Sequence, residues 1–279
     1  MLVFAHNVPL SMCTPSPRSP LSEPFQGKMI LAPLTRGGNL PFRRLCADYG
    51  MEVSFGEMVY ARNLLKGDTR SGNRSEKARL RRAPNEQFFG VQIATNDIEE
   101  GLAAARIVAE SGADFIDLNC GCPIYEATRR NLGSALLRKP ERLASLVEGL
   151  AGGSSLPLSV KVRLAAMGGE VNINEVAGGL YEAGAAALTI HGRTASDRYT
   201  KAADWGSIAR VVDDCRARGG GEYPKTLTLI LTLTLTRTLT LTLTLARWWH
   251  ADRGQWRHPL ALRRARPDGG LWCACNHGG

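Results

Sequence analysis

Six short apolar segments alternate with segments of helical periodicity, and this alternation restricts the fold more than any other feature of the chain. The apolar segments are too uniformly hydrophobic to have one face in water, which is typical of parallel strands covered by helices. The predicted strands are residues 28–33, 51–57, 88–93, 114–119, 156–164 and 186–192. The predicted helices are residues 39–49, 98–111, 140–151 and 174–183. The sequence therefore predicts an α/β fold built on a parallel sheet.

Polar residues stand where the predicted strands end, and their distribution separates two possible architectures. These residues are Thr35, Glu57, Gln92, Asn119, Lys161, Arg163 and His191. A TIM (β/α)₈ barrel builds its active site from the C-terminal ends of several strands. A doubly wound sheet instead binds its ligand at one switch point, usually with a glycine-rich turn after the first strand. No G-x-G-x-x-G sequence follows residues 28–33, so we expect the barrel and keep the doubly wound sheet as the alternative.

The net charge is basic but unevenly distributed along the chain. Thirty-five Lys and Arg against 26 Asp and Glu give a net charge of +9, which suits a polyanionic partner such as nucleic acid. Residues 226–279 contain seven Arg, two Asp and no Lys or Glu, so more than half of the excess lies there. Net charge alone is therefore weak evidence for a nucleic-acid partner.

Cysteine usage and hydropathy bear on the compartment. The seven Cys are irregularly spaced, which argues against a secreted disulfide framework. We expect a reducing compartment, the cytoplasm, with the nucleus as the alternative. No run of 18 apolar residues occurs, so no membrane span is predicted. Cys273, Cys275 and His277 are spaced too tightly for the common zinc sites, and we expect no metal site.

Six motifs follow one another in a fixed order within residues 28–212. They are LAPLTRGGNLPFRRLCADYG, GEM, FGVQIA, DLNCGCPI, VKVR and LTIHGRT. In order and spacing this set resembles the tRNA-dihydrouridine synthases, most closely the eukaryotic subclass that acts on uridine 47 of tRNA. The resemblance implies a barrel with FMN at its strand ends and NADPH or NADH as reductant. It also implies that a uridine in tRNA is the substrate.

Reduction of the C5=C6 bond of uracil requires a hydride for one carbon and a proton for the other. The resemblance assigns the hydride to the flavin and the proton to Cys122 of the N-C-G-C-P motif. A thiol suits this role because it is mostly protonated at neutral pH. A small buried core residue is the alternative interpretation of Cys122. Cys120, two residues earlier, is interpreted as a packing residue.

The resemblance also assigns six positions around the flavin. They are Pro33, Leu34, Gln92, Asn119, Lys161 and His191. The first two correspond to first-strand backbone that touches the flavin, and the two amides to contacts with the flavin ring and the substrate pyrimidine. The lysine corresponds to a cation that stabilises the anionic reduced ring, and the histidine to a flavin-contacting imidazole. For each polar residue a purely structural role at a strand end is the alternative.

Three charged residues are candidates for substrate contact, namely Glu57, Arg163 and Arg193. The resemblance suggests that Glu57 lines the pocket and that the two arginines meet the flavin phosphate or the tRNA. From the residues alone, Glu57 could instead pair with an arginine at a strand end. Either arginine could equally form a surface ion pair.

The motifs end near Val212, before the seventh and eighth strands of a complete barrel, so we expect a barrel truncated after the sixth strand. The predicted organisation is a disordered Pro/Ser-rich leader (1–27), a partial FMN-binding barrel (28–212), a linker (213–225), a Thr-Leu repeat (226–245) and an Arg/Trp-rich tail (246–279). The repeat alternates with period two, as a strand does, but is too long for one strand. We interpret it as translated simple-repeat DNA and the tail as disordered or as non-coding sequence.

Two other functions stay open at this point. The helical tRNA-binding domain of the family is not recognised in the chain, which permits a flavin barrel that acts on a free pyrimidine. A barrel with six strands also leaves its sheet edges unpaired. The chain could therefore be a truncated product without catalytic activity.

Overall fold

The computed structural model describes residues 3–4, 21–25, 27–66, 71–197, 200–218, 228–235, 241–243, 264–265 and 271–272. The chain divides into two units, residues 1–246 and residues 247–279. The strands are β1 (Val3–Phe4), β2 (Met29–Leu31), β3 (Val53–Phe55), β4 (Val59–Tyr60), β5 (Phe88–Ala94), β6 (Phe115–Cys120), β7 (Leu158–Arg163), β8 (Ala187–His191), β9 (Thr228–Leu235), β10 (Leu241–Leu243), β11 (Arg264–Ala265) and β12 (Leu271–Trp272). The helices are α1 (Ser22–Phe25), α2 (Leu40–Asp48), α3 (Ala61–Leu64), α4 (Ser71–Arg79), α5 (Ile98–Glu110), α6 (Tyr125–Thr128), α7 (Pro140–Gly153), α8 (Ile173–Glu182) and α9 (Trp205–Arg218), and a 3₁₀ helix spans Gly133–Arg138.

The first unit is an incomplete TIM barrel, as predicted. β2, β3, β5, β6, β7 and β8 pair in parallel in chain order, and each corresponds to one of the six predicted strands. The main hydrophobic core lies between the outer face of this sheet and helices α3, α5, α7, α8 and α9. Parallel pairing directs all the carboxyl ends of the strands to one edge of the sheet, which is where a barrel carries its site.

The sheet continues beyond the six predicted strands. β9 pairs in parallel with β8, in the register from Ala187 opposite Thr228 to His191 opposite Thr232, and β10 pairs antiparallel with β9. Both strands fall within residues 226–245, which the sequence analysis treated as a low-complexity repeat. The edge of β8 would otherwise leave backbone donors and acceptors unpaired, and a Thr-Leu alternation has the period and the β-branching to pair with it.

The end of the predicted leader is structured. α1 lies within residues 1–27, and Leu21 and Phe25 are fully buried. β1 pairs antiparallel with β2. The ordering has a simple cause, since Phe25 is held against the rings of Phe55 and Phe115. The rest of the leader lies outside the described residues.

The boundary predicted at residue 212 falls inside a helix. α9 runs from Trp205 to Arg218 and therefore extends into the predicted linker. Val211 and Cys215 on this helix are buried in the main core, so the barrel fold continues through them. The second unit contains the antiparallel pair of β11 and β12, and the other residues of the predicted tail lie outside the described ranges.

Aromatic packing closes the barrel interior at the N-terminal ends of the strands. The Phe115 ring lies 5.3 Å from Phe25 and 4.9 Å from Phe55 in edge-on geometry, and it stacks on Phe88 at 5.3 Å. Gly90 stands opposite Phe115 in the sheet register. A methyl group at Gly90 would lie 2.1 Å from the Phe115 ring, so only glycine leaves room for this ring.

Gly90→Ala should lower the free energy of unfolding by about 1–3 kcal/mol, because an added carbon would overpack the aromatic layer. Gly152→Ala is the matched control, since apart from the adjoining backbone of its own helix nothing lies within 4 Å of the added carbon, and alanine favours the helix that it joins. Urea denaturation followed by circular dichroism measures both variants. Equal free energies of unfolding for Gly90→Ala and Gly152→Ala would contradict the packing argument.

Candidate functional site

Two layers of polar side chains lie above the aromatic layer, at the carboxyl ends of the strands. In the lower layer, Gln92, Asp117 and Ser159 stand side by side on β5, β6 and β7. In the upper layer, Asn119 stands beside Lys161, and Lys161 beside Thr189 of β8. Because side chains on a strand alternate with period two, residues 117 and 119 share the inner face of the sheet. The register therefore brings together residues that are far apart in the sequence.

A continuous chain of hydrogen bonds links these layers. Ser159 Oγ donates to Asp117 Oδ1 at 2.5 Å, and Gln92 Nε2 donates to Asp117 Oδ2 at 2.7 Å. Asn119 Nδ2 in turn donates to Gln92 Oε1 at 2.7 Å. An ionised carboxylate only accepts hydrogen bonds, so it fixes which end of the Gln92 amide faces it, and Gln92 then fixes the amide of Asn119.

Asn119, the last residue in this series of hydrogen bonds, holds the loop that carries Cys122. Asn119 Oδ1 accepts from the backbone N–H groups of Gly121 at 3.2 Å and Cys122 at 2.9 Å. The Cys122 carbonyl accepts from the N–H of Ser134 at 3.0 Å. Gly133 adopts φ 62°, and a methyl group there would lie 2.4 Å from the Cys122 carbonyl oxygen. The backbone on both sides of the half-buried thiol is therefore fixed.

Burial sets the charge states of Asp117 and Lys161, the two acid–base groups nearest this series of hydrogen bonds. The pKa of Asp117 is raised to about 6, because burial disfavours its charge more than Ser159, Gln92 and Lys161 favour it. The pKa of Lys161 is lowered to about 8, through burial and repulsion by Arg163, while Asp117 and Cys122 oppose the shift. Lys161 therefore remains mostly protonated at neutral pH.

His191 ends β8 as a neutral imidazole. It is buried, and this desolvation, together with repulsion from Lys161, Arg163 and Arg193, lowers its pKa to about 2. A neutral imidazole carries one donor and one acceptor nitrogen. His191 can therefore contribute hydrogen bonds to this site but no positive charge.

Arg163 and Arg193 are both buried, which contradicts the surface ion pair considered for them. Arg163 donates from Nε to the Gly121 carbonyl at 2.9 Å and from Nη1 to the Thr194 carbonyl at 3.0 Å. Arg193 donates from Nε to the Lys201 carbonyl at 2.5 Å. Both arginines hold loops at the strand ends, and Arg163 holds the loop of Cys122 from the side opposite Asn119.

The remaining predicted residues form a second group at the same edge of the sheet. Pro33 and Leu34 lie in the loop after β2, half-buried. Gly38 lies between this loop and Glu57, since a methyl group on it would be 3.0 Å from the Leu34 carbonyl oxygen and 3.6 Å from Glu57 Cγ. Glu57 is 3.7 Å from Arg79, so it does pair with an arginine, one at the end of α4.

Three further residues of the site, Asp117, Ser159 and Thr189, were not predicted from the sequence. Each stands two positions before a residue that was singled out, and this spacing was the available signal, because such pairs share one face of a strand. Thr189 is 2% exposed, and among the described residues its Oγ1 has no hydrogen-bond partner. A buried hydroxyl without a partner is costly and indicates a place for a polar ligand group.

The described residues contain neither a candidate membrane-spanning helix nor a candidate metal site. Within the described ranges, no helix combines the length and hydropathy that a membrane crossing needs. The described residues also contain no group of three or more His, Cys, Asp or Glu placed to hold a metal ion. The Cys273, Cys275 and His277 set lies outside them.

Comparison with known proteins matches residues 30–217 to the family model described as dihydrouridine synthase (Dus). The chain is 42% identical over 203 residues to a "tRNA-dihydrouridine(47) synthase [NAD(P)(+)]-like" protein of Oryza sativa subsp. japonica, covering 71% of this chain and 29% of the relative. It is 39% identical to a "tRNA-dihydrouridine(47) synthase [NAD(P)(+)]" of Coprinopsis cinerea, with the same coverage. A solved variant of NCR from Zymomonas mobilis aligns with a TM-score of 0.39 and 14% identity, over 60% of this chain and 64% of that one. The chain thus spans about three tenths of the length of these two curated relatives.

Asp117→Asn should flatten the pH dependence of the free energy of unfolding. Because the folded pKa, about 6, lies above the unfolded value, this carboxyl contributes its full stability below about pH 4 and loses it as the pH rises through about 6. The loss is on the order of 3 kcal/mol, and asparagine, which does not titrate, lacks it. Urea denaturation at pH values between about 4 and 7 measures the change.

Glu110→Gln, at the exposed end of α5, serves as the control and should keep the wild-type pH profile. A wild-type profile in Asp117→Asn as well would show that the buried carboxyl does not titrate in this range.

Proposed function

The chain belongs to the dihydrouridine synthase family, and from this premise we propose that it reduces uridine to 5,6-dihydrouridine in tRNA, with Cys122 as the proton donor. The observation that carries the proposal is the hydrogen-bonded path from Asp117 through Gln92 and Asn119 to the backbone N–H of Cys122. This path fixes the thiol-bearing loop beside a lysine. The names of the curated relatives support tRNA as the substrate. We place the activity in the cytoplasm or the nucleus, where tRNA is found.

The polar layers suit the edge of a flavin ring, and we propose FMN as the cofactor. A flavin pyrimidine edge presents carbonyl and N–H groups, which need both donors and acceptors. The site offers the cation of Lys161, the neutral imidazole of His191 and the amides of Gln92 and Asn119. It also offers the Thr189 hydroxyl, which has no hydrogen-bond partner in the described part of the chain. These groups therefore support binding of the pyrimidine edge of the flavin ring. Lys161 would stabilise negative charge on that edge, and the two amides would orient the ring.

The bound FMN, reduced by NADPH or NADH, would supply the hydride for one carbon of the C5=C6 bond. Cys122 gives the thiol proton to the adjacent carbon, and its sulfur keeps the negative charge. Cys122 lies near enough to Lys161 to oppose the lowering of the lysine pKa, so the ammonium group can stabilise the resulting thiolate. Asn119 holds the loop so that the thiol keeps one position during the transfer.

Glu57, Arg163 and Arg193 have supporting roles in this proposal. The two arginines keep the strand-end loops in place through their carbonyl contacts. Leu34 and Glu57 lie on either side of Gly38, and in this proposal they and Pro33 would form the wall of the flavin pocket on the side of β2 and β3. Direct contact of these three charged side chains with tRNA stays a prediction.

Absorbance of the purified full-length chain tests the cofactor, and nucleoside analysis tests the activity. We expect a flavin absorbance band, and dihydrouridine in an unmodified tRNA transcript after incubation with NADPH. Free uracil, tested in parallel, should not react. A folded protein without flavin, or a reaction with uracil alone, would overturn the proposal.

Cys122→Ala should lower the rate of dihydrouridine formation at least about 100-fold, because it removes the general acid. Cys120→Ala provides a matched control, since Cys120 is fully buried in the main core, and we expect a rate within a few-fold of the wild type. Both variants should keep the flavin absorbance band. A wild-type rate in Cys122→Ala would exclude this thiol as the proton donor.

A further inference from the structure

A cleft of about 310 Å³ opens at the carboxyl ends of β4 and β5, between α3 and the segment after Cys122. Its wall includes Tyr60, Arg62, Lys66, Asn96, Arg129 and Arg130, and these residues define what we call the basic cleft. The mechanism above uses none of them. Arg62, Lys66, Arg129 and Arg130 are all exposed, so their charged groups are accessible to a ligand.

Positive charge dominates the basic cleft. Glu100 is the acidic residue of the wall among the described residues, and its Oε1 accepts from the Thr95 hydroxyl at 3.0 Å. Two further carboxylates, Glu76 and Glu126, lie near Tyr60 and contribute to raising its pKa, after burial. Glu76 is already paired with Arg79 at 2.9 Å. Among the described residues, the four cations therefore outnumber the carboxylates near the basic cleft.

Aromatic rings hold two of the arginines in place. The Arg130 guanidinium lies over the Tyr60 ring at 5.5 Å, and the Arg129 guanidinium lies over the Tyr125 ring at 6.0 Å. A guanidinium that stacks on a ring keeps its in-plane N–H groups available for an anion. Tyr125 is 75% exposed, so the other side of its ring is open to a flat ligand. Cations combined with exposed aromatic faces are typical of single-stranded nucleic-acid sites.

The basic cleft adjoins the reactive thiol. Tyr60 and Cys122 pack against the same small cluster of buried side chains, Met58, Ala94, Ala127 and Leu132. The thiol also contributes to raising the pKa of Tyr60. A nucleotide whose base reached Cys122 would therefore leave its neighbour in the strand near the basic cleft.

We propose that the basic cleft binds the RNA backbone beside the nucleotide that enters the Cys122 site, with the arginines on a phosphate and Tyr125 against a base. This inference rests on the proposed function, because it takes RNA as the ligand. The cleft would recognise the RNA by the spacing of its phosphates and by the stacking of a base. We therefore expect the interaction to depend little on the nucleotide sequence.

The test measures the affinity of the full-length chain for a fluorescein-labelled, unmodified tRNA transcript by fluorescence anisotropy at several salt concentrations. Arg62→Ala/Arg129→Ala should weaken binding about 10-fold or more, and should reduce the slope of log affinity against log salt by roughly 0.7–0.9 for each phosphate that the variant no longer neutralises. The matched control is Arg44→Ala/Arg106→Ala, which removes two exposed arginines from α2 and α5. It should change the affinity less than 2-fold.

Cross-linking gives a second measurement that needs no variant. RNA that contains 4-thiouridine, irradiated in complex with the wild-type chain, should link to peptides that include residues 60–66 or 125–130. Links confined to other peptides, or an equal decrease of affinity in the two double variants, would overturn the inference. Neither measurement needs flavin or turnover. The two proposals can therefore fail separately. If RNA binds through the basic cleft but no dihydrouridine forms, only the proposed activity is refuted. If dihydrouridine forms but Arg62→Ala/Arg129→Ala binds tRNA as tightly as the wild type, only the proposed role of the basic cleft is refuted.

Discussion

The site depends on the hydrogen bonds that the buried carboxylate of Asp117 accepts. The carboxylate accepts hydrogen bonds from strands on both sides, Ser159 on β7 and Gln92 on β5. Burial raises its pKa, so the fold bears a cost that the neighbouring donors offset in part. In return the carboxylate fixes the orientation of two amides and, through Asn119, the position of the Cys122 loop. A weakly oriented loop would hold the same thiol less favourably for a proton transfer.

The division of the barrel interior into an aromatic layer and a polar layer makes this arrangement possible. Phe115 and Asp117 are neighbours on the same face of β6, so apolar packing ends one residue pair below the first hydrogen bond of the site. The aromatic layer excludes water from beneath the carboxylate, which strengthens each hydrogen bond above it. Gly90 and Gly133 serve these two layers in the same way, since each leaves space for a group that a methyl would displace.

Much of the fold and part of the site could be predicted from the sequence, and the errors have physical causes. The strand motifs located Cys122, Gln92, Asn119, Lys161 and His191 at the correct edge of the sheet. The predicted end of the barrel at residue 212 falls inside α9, where Val211 and Cys215 continue the core, because the family motifs end before the helix does. Phe25 was assigned to a disordered leader because its Pro/Ser-rich surroundings conceal three aromatic partners from distant strands. Arg163 and Arg193 were interpreted as possible surface ion pairs, because a single sequence does not show which carbonyl groups will surround them.

The sequence by itself determined six strands of the sheet and the side chains that stand at their ends, because uniformly apolar segments mark the strands and polar residues follow them. Only the tertiary structure decided which of those side chains meet. Gln92 and Asp117 are 25 positions apart, and Ser159 and Asp117 are 42 apart, so their contact depends on which strands become neighbours and in what register. Charge states follow the same rule. His191 is neutral because it is buried and because three cations from two strand ends lie near it, and an environment of that kind arises only when the chain is folded.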